Sequence, residues 1–219
     1  IIRFDCNFVA GGKYSADKAS VKLWLYPALL SEKYGIPLIW NCPGVPFAFT
    51  DAEISIVSET LKAVDYISVR DKNSKQLLSS CCDPEKIFVY PDSVLSISSF
   101  ISKQEIEETN SRLKSRVSIP ENYIVFQINS VNDKDEKIYA EALLKIKHDY
   151  KLNIVLLPIG YVHQDMETLE KIYNCYPEEF AFIRQKLSLV EILSVIACAQ
   201  FFVGTSLHGN ISAFTYKIN

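Results

Sequence analysis

The chain has 219 residues, of which 48% are hydrophobic and 22% charged, and its formal net charge is −3 at pH 7. This length suits one large domain or two small ones, and the aromatic content of 12% argues against a disordered chain. The mild acidity argues against general affinity for nucleic acid or anionic membranes. The sequence has no run of about 18 apolar residues, so we expect no transmembrane segment.

The first half of the sequence alternates short apolar strands with helices. Strands are predicted at IIRFDCNFVA, IPLIWNC, DYISVR and KIFVYPDS. Apolar residues at helical spacing in SVKLWLYPALLSEKY predict a helix that ends at Gly35, with a kink or break at Pro27. Two further helices are predicted to begin after the capping residues Asp51 and Asp71.

The second half repeats this alternation after a charged helix, KQEIEETNSRLKSR, that is predicted to connect two domains. Strands are predicted at YIVFQIN, LNIVLLPIG, FAFIR and FFVG. Helices are predicted at Asp133–Tyr150, at Asp165–Tyr176, at Leu189–Cys198 after the cap Ser188, and from Ser206 onward. Strands that are apolar on both faces and alternate with helices indicate parallel sheets covered by helices.

We therefore expect an α/β fold of two Rossmann-like domains with a cleft between them. The predicted boundaries are 1–95 for the N-terminal domain, 96–120 for the connecting helix and 121–219 for the C-terminal domain. Both ends of the sequence lie inside predicted elements, so we expect a fragment of a longer protein, with each domain truncated at its outer end.

The six cysteines show neither a C-x-x-C pair nor zinc-ligand spacing. We expect reduced thiols, several of them buried in apolar segments. The adjacent Cys81 and Cys82 are the pair predicted to react most readily with an oxidant.

The segment FFVGTSLHGNISAF is the best candidate for an anion site. Gly204 ends a strand and permits a tight turn, and Thr205 or Ser206 can cap the next helix. The first amides of that helix and its positive dipole end can bind a phosphate or carboxylate. His208 lies in the first turn, and Gly209 leaves room for a ligand. The alternative is a capped helix with a structural histidine.

A second candidate is VDYISVRDKNS, where Arg70 follows a strand and Asp71 begins a helix. An arginine at this place can bind an anion through two parallel hydrogen bonds. The alternative is an ion pair between Arg70 and Asp71, or one at a domain interface.

Three glycines in loops after strands are weaker candidates: Gly11 and Gly12, followed by Lys13, and Gly44 in the PGVP turn. They match neither a Walker A loop nor a complete dinucleotide-binding motif, so simple turns are the alternative. Asp92 and Asp165 follow strands and could face the cleft; the alternative is a helix cap or a solvated loop residue. His163 lies in a strand-to-helix loop, and His148 is expected to be exposed on a helix.

Taken together and in this order, the segments resemble the polysaccharide pyruvyl transferase family. The matching pieces are the early glycine pair, the PGVP turn, ISVRDKNSKQLL, VYPDS and GTSLHGNISAFTY. The family often has arginine where this chain has Ser206. Its usual N-terminal opening and C-terminal tail are not present in the sequence.

The resemblance implies a glycosyltransferase-B-like enzyme that moves pyruvate from phosphoenolpyruvate onto a sugar of a bacterial surface polysaccharide and forms a ketal. Arg70 and His208 are the residues it suggests for the phosphoenolpyruvate site, with His208 as acid, base or electrostatic clamp and Asp71 or Asp92 as the base. The full set of predicted substrate-binding residues is Gly11, Gly12, Gly44, Arg70, Gly204, Thr205, Ser206, His208, Gly209 and Asn210.

The same resemblance implies no metal and no cofactor, with phosphoenolpyruvate as co-substrate. The implied acceptor is a sugar or a lipid-linked oligosaccharide, and the implied location is the cytoplasm or the inner membrane surface. Two alternatives share the fold: a nucleotide-sugar glycosyltransferase, and a non-catalytic glycan-binding domain, which Ser206 in place of arginine would favour.

Overall fold

The computed structural model describes residues 2–4, 27–45, 47–130, 135–161 and 164–218. The chain divides into two compact units, Ile1–Ser93 and Val94–Asn219. The predicted glycine pair Gly11-Gly12, Lys13 and His163 lie outside the described residues. The predicted domain boundaries at 95 and 120, and the cleft, stay predictions.

The first unit contains a four-stranded parallel sheet in the order β1-β2-β3-β4. Its strands are β1 (Ile2–Phe4), β2 (Leu38–Trp40), β3 (Tyr66–Val69) and β4 (Ile87–Val89). Its helices are α1 over the described residues 27–34, α2 (Asp51–Lys62) and α3 (Lys72–Leu78), and a short 3₁₀ turn covers Pro84–Lys86. A second 3₁₀ turn, Ser93–Ser99, crosses from the first unit into the second.

The helices of the first unit begin and end at residues with identifiable local chemistry. Gly35, with a φ of 61°, follows α1 in the left-handed conformation that glycine adopts at low cost. Asp71 caps α3 as predicted, its side chain accepting from the Ser74 amide. The predicted cap of α2 was wrong by one residue: Thr50 is the cap and forms a capping box with Glu53, while Asp51 is the first helical residue.

The second unit contains a four-stranded parallel sheet in the order β7-β6-β5-β8. Its strands are β5 (Tyr123–Gln127), β6 (Asn153–Leu156), β7 (Ala181–Phe182) and β8 (Phe201–Gly204). Its helices are α4 (Lys103–Lys114), α5 (Glu136–Tyr150), α6 (Asp165–Cys175), α7 (Leu189–Ala197) and α8 (Leu207–Thr215). Helix α4, the predicted connecting helix, packs against α7 within this unit.

The apolar character of β5 on both faces explains why its sheet is parallel and covered. Val125 belongs to an apolar cluster on one side, with Val155 and Val195, whereas Ile124 and Phe126 belong to a second cluster on the other side. Successive residues of a strand face opposite sides of the sheet, so a strand buried on both faces must be continuously apolar. The predicted α/β fold with parallel sheets is therefore confirmed.

The described cysteines are free thiols, as predicted: Cys42, Cys81, Cys82, Cys175 and Cys198. Burial raises the pKa of the Cys81 and Cys82 thiols, which lowers their thiolate fraction and disfavours oxidation. Among the described residues, none of the helices combines the length and the apolar character needed to span a bilayer.

Substitution of Leu156 tests whether the apolar clusters on the two faces of this sheet stabilise the second unit. It is fully buried in β6, so Leu156→Ala should lower the free energy of unfolding by about 2–5 kcal/mol through lost apolar contacts and a residual cavity. Leu189 is 63% exposed at the start of α7, and Leu189→Ala should change that energy by less than about 0.5 kcal/mol. Urea unfolding measures both; equal losses would contradict the assigned core.

Candidate functional site

The sheet of the second unit contains a topological switch point between β5 and β8. The chain proceeds from β5 to β6 and β7 on one side, and β8 then pairs with the opposite side of β5. Gln127, the last residue of β5, is paired with Gly204, the last residue of β8. Open parallel sheets bind ligands beyond the carboxyl ends of the strands at such a point. Topology therefore places the candidate site at the turn between β8 and α8.

Hydrogen bonds of Ser206 hold the turn between β8 and α8 in place. Ser206 caps the helix as predicted, its Oγ accepting from the Gly209 amide at 3.1 Å. The Ser206 amide donates to Gln127 Oε1 at 2.8 Å, so it is held by the neighbouring strand. The positive end of the α8 dipole lies at this turn, where exposed Leu207 and His208 form the first helical residues.

Two polar residues predicted to contact substrate stabilise the turn itself. The Asn210 side-chain amide donates to the carbonyls of Gly204 and Ser206, both at 2.8 Å. Thr205 Oγ1 is 3.3 Å from Asn129 Oδ1, the acceptor on the loop after β5. Thr205, His208 and Asn210 are all exposed. The exposed surface of the turn thus contains one imidazole beside hydroxyl and amide groups.

Gly204 and Gly209 allow the turn to pack on an aromatic ring. A Cβ atom at Gly204 would lie 2.7 Å from the ring of Phe202, and one at Gly209 would lie 2.6 Å from it. The ring therefore fills the space beside both residues. The expectation that Gly209 leaves room for a ligand is wrong on this side of the backbone.

A buried polar pair that was not predicted from the sequence lies beside this turn. Gln127 and Asp165 are 2% and 1% exposed, and Gln127 Nε2 donates to Asp165 Oδ2 at 2.8 Å. The same oxygen accepts from the amides of Gly160 at 2.9 Å and Ile159 at 3.1 Å. The sequence left open whether Asp165 faces the cleft or is a helix cap or solvated loop residue. The available signal was a single polar residue, Gln127, at the end of an otherwise apolar strand.

Arg70 in the first unit follows β3, as predicted, and lies between two carboxylates. Its Nη1 is 3.6 Å from Asp92 Oδ2 and its Nε is 3.8 Å from Asp71 Oδ2, and the side chain is 17% exposed. Asp71 Oδ1 accepts from the Ser74 amide at 2.7 Å and so caps α3. The ion pair between Arg70 and Asp71, which was predicted from the sequence as the alternative to anion binding, is thus present.

Gly44 and Arg70 are brought together by the loop after β2. The Arg70 amide donates to the Pro43 carbonyl at 3.3 Å, and the Val45 amide donates to Ser74 Oγ at 2.9 Å. A Cβ atom at Gly44 would overlap the Arg70 guanidinium. The glycine therefore leaves the space that the guanidinium occupies.

The remaining polar candidate among the described residues is His148. His148 is exposed on α5. In the described part of the chain, no three His, Cys, Asp or Glu side chains lie close enough together to hold a metal ion.

The family model for polysaccharide pyruvyl transferase matches residues 4–219, which is nearly the whole chain. The chain belongs to the polysaccharide pyruvyl transferase family. No sequence among the curated proteins matches it.

Solved structures similar to this pyruvyl transferase family member include UDP-GlcNAc 2-epimerases. That of Methanocaldococcus jannaschii is 19% identical, with a TM-score of 0.62, and the match covers 98% of this chain and 59% of the epimerase. That of Neisseria meningitidis is 12% identical, with a TM-score of 0.54, and the match covers 93% of this chain and 55% of the other. The chain thus spans less than two thirds of their length. The likeness concerns the fold and supports the predicted glycosyltransferase-B-like class.

Gly44→Ala tests whether the arginine of this family member depends on the glycine beside it. The guanidinium is the flexible end of its side chain, so it should move away from the new methyl group and from Asp92. We expect a loss of about 1 kcal/mol or less in the free energy of unfolding, because the pair is only partly buried. In an Arg70→Ala background the same substitution should cost nothing, a non-additivity that urea unfolding measures. Additive losses would contradict the contact.

Proposed function

We propose that this member of the polysaccharide pyruvyl transferase family transfers pyruvate from phosphoenolpyruvate to a sugar of a surface polysaccharide, forming a ketal. The observation that carries the proposal is the family match over residues 4–219. A helix start suited to an anion, at the switch point between β5 and β8, supports it. Residues at that turn include those for which the family resemblance suggests a role.

The reaction sets clear demands on the binding site. One sugar hydroxyl adds to C2 of phosphoenolpyruvate while the methylene carbon takes up a proton, and a second hydroxyl of the same sugar then displaces phosphate. The products are the ketal and inorganic phosphate. Of the two protons that the hydroxyls lose, one is taken up by the methylene carbon and the other leaves with the phosphate. Such a site must bind a phosphate and a carboxylate and must move protons.

The turn at the start of α8 meets several of these demands. The dipole end attracts an anion, with about half an elementary charge at a helix terminus. The His208 side chain is exposed in the first turn, where an imidazole can bind the anion or transfer a proton. We assign the phosphate or the carboxylate of phosphoenolpyruvate to this turn, and we assign His208 to contact with it.

Arg70 is proposed as a further anion-binding residue. Its guanidinium is held at the carboxyl end of β3 by Asp92 and Asp71. Asp71 or Asp92 is assigned as the base that activates the sugar hydroxyl. The Arg70 assignment rests on the resemblance to the family, and the acceptor that the family implies is a sugar or a lipid-linked oligosaccharide.

Ser206 allows the anion site to be tested separately from the helix cap. Asp and Asn replace Ser well as caps, so Ser206→Asp and Ser206→Asn should both keep the melting temperature near that of the wild type. Only Asp adds a negative charge where the anion would bind, and Ser206→Asp should weaken phosphoenolpyruvate binding at least about tenfold relative to Ser206→Asn. Calorimetric titration measures the affinities. Equal affinities would place the anion elsewhere.

The reaction itself is tested by phosphate release from phosphoenolpyruvate with a panel of glycan acceptors, using the full-length protein. Wild-type protein should release phosphate only with an acceptor, and mass spectrometry should find the ketal on the sugar. His208→Ala should lower kcat/KM by about 100-fold or more, the range expected when a proton-transfer or electrostatic group is lost. Undiminished ketal formation by His208→Ala would remove that residue from the site.

A nucleotide-sugar enzyme is the second candidate, and the fold neighbours favour it. One Methanocaldococcus jannaschii epimerase structure is a complex with UDP-GlcNAc and UDP. Thermal stabilisation by UDP without stabilisation by phosphoenolpyruvate would support this candidate instead. Glycan binding without turnover of either donor would support a non-catalytic domain.

A further inference from the structure

We propose that Gln127 and Asp165 are positioning residues that fix the orientation of the turn between β8 and α8. Their function as positioning residues for an anion rests on the function proposed above. Neither residue was among the predicted substrate-binding groups. Both are nearly completely buried, and together they connect the carboxyl ends of β5, β6 and β8.

The chemistry of Asp165 determines which way the Gln127 amide points. Asp165 Oδ2 already accepts from two backbone N–H groups, so the Gln127 amide must direct its NH₂ group to this oxygen. Its carbonyl oxygen then points to the Ser206 amide, which donates to it at 2.8 Å. With the amide reversed, a carbonyl would face a carboxylate and an NH₂ group would face an N–H. The carboxylate thus sets the direction of a bond made to another loop.

Asp165 is itself held by the loop after β6. Its Oδ2 accepts from the Ile159 and Gly160 amides as well as from Gln127. Its Oδ1 has no hydrogen-bond partner among the described residues. All hydrogen bonds between the Asp165 carboxylate and the described residues are therefore made by Oδ2. They fix the position of this oxygen relative to Gln127.

The glycine that ends β8 makes this arrangement possible. A Cβ atom at Gly204 would lie 2.9 Å from Gln127 Oε1. Because glycine lacks that atom, the Gln127 carbonyl reaches past the strand end to Ser206. Ser206 is also the cap of α8, so the bond to Gln127 anchors the residue from which the helix starts.

The first experiment compares two losses of a buried hydrogen bond on the same strand of the full-length protein. Gln127→Met keeps a similar side-chain length without its donor and acceptor. Tyr123→Phe is the matched control: Tyr123 lies at the opposite end of β5, and its hydroxyl donates to the Val195 carbonyl at 2.8 Å. Burial raises the pKa of Tyr123, so its hydroxyl stays a donor. Both variants should lower the melting temperature.

Only Gln127→Met should disturb the turn. We expect faster amide hydrogen exchange in peptides covering residues 204–210, and affinity for inorganic phosphate about tenfold or more weaker than in wild type or Tyr123→Phe. With phosphoenolpyruvate and acceptor, KM should rise more than kcat falls. Unchanged exchange in residues 204–210 would overturn the proposal, as would equal effects of the two variants.

Gln127→Glu should give phosphate affinity a pH dependence that a change in packing alone would not produce. Its carboxyl group would lie within hydrogen-bonding distance of Asp165, the ionisable side chain that Gln127 contacts in the described part of the chain. Two carboxylates this close share a proton, which raises one pKa. The protonated pair restores a donor toward Asp165 and an acceptor toward Ser206. Phosphate affinity relative to wild type at each pH should therefore rise as pH falls from about 8 to 6; a flat ratio would count against the proposal.

Asp165 variants keep the proposal testable if Gln127→Met does not fold. Asn retains an oxygen that can accept all three bonds, so Asp165→Asn should protect residues 204–210 from exchange nearly as well as wild type, whereas Asp165→Ala should not. Equal exchange in the two variants would overturn the proposal. If wild type fails to release phosphate from phosphoenolpyruvate while Gln127→Met still loosens the turn, the proposed reaction fails and the positioning role stands.

Discussion

The pairing of β8 with the free side of β5 is the constraint on which the candidate site depends. It creates the switch point at which two crossovers leave the sheet in opposite directions. Helix α5, which follows β5, and helix α8, which follows β8, accordingly pack in different apolar clusters on opposite faces of the sheet. Gln127 and Gly204 end the two strands at the same level, and the start of α8 follows directly.

Gln127 and Asp165 are buried, and burial of polar groups costs free energy unless hydrogen bonds offset it. Burying an amide or a carboxylate without partners costs roughly 1–3 kcal/mol or more. The second unit meets this cost by concentrating three donors on one Asp165 oxygen and by using both ends of the Gln127 amide. Asp165 Oδ1 has no hydrogen-bond partner among the described residues, so part of this cost is not offset. The Gln127 amide nevertheless has one favourable orientation, and the pair therefore stabilises a single orientation of the turn.

Sequence reasoning succeeded where the determinant is local. Continuous apolar strands indicated parallel sheets, and Asp71, Ser188 and Ser206 were found as caps because each precedes its own helix. The misplaced cap of α2 was also readable, since Thr50 and Glu53 have the spacing of a capping box. The failures are non-local. The contacts of Gln127 with Asp165 and of Gly44 with Arg70 depend on strand order and loop approach, which no short segment specifies.

Arg70 and the start of α8, the two candidate anion-binding groups, would attract an anion through different electrostatic interactions. Arg70 is a full cation, but Asp92 and Asp71 already offset its charge, so an incoming anion must compete with two carboxylates. The turn before α8 offers a dipole of about half a charge and the exposed His208. Hydrogen bonds to a charged partner contribute about 1.5–3 kcal/mol each. Because a dipole is weaker than a full charge, the anion affinity proposed for this turn depends strongly on how accurately the helix start is oriented, which is the property that we propose Gln127 and Asp165 to control.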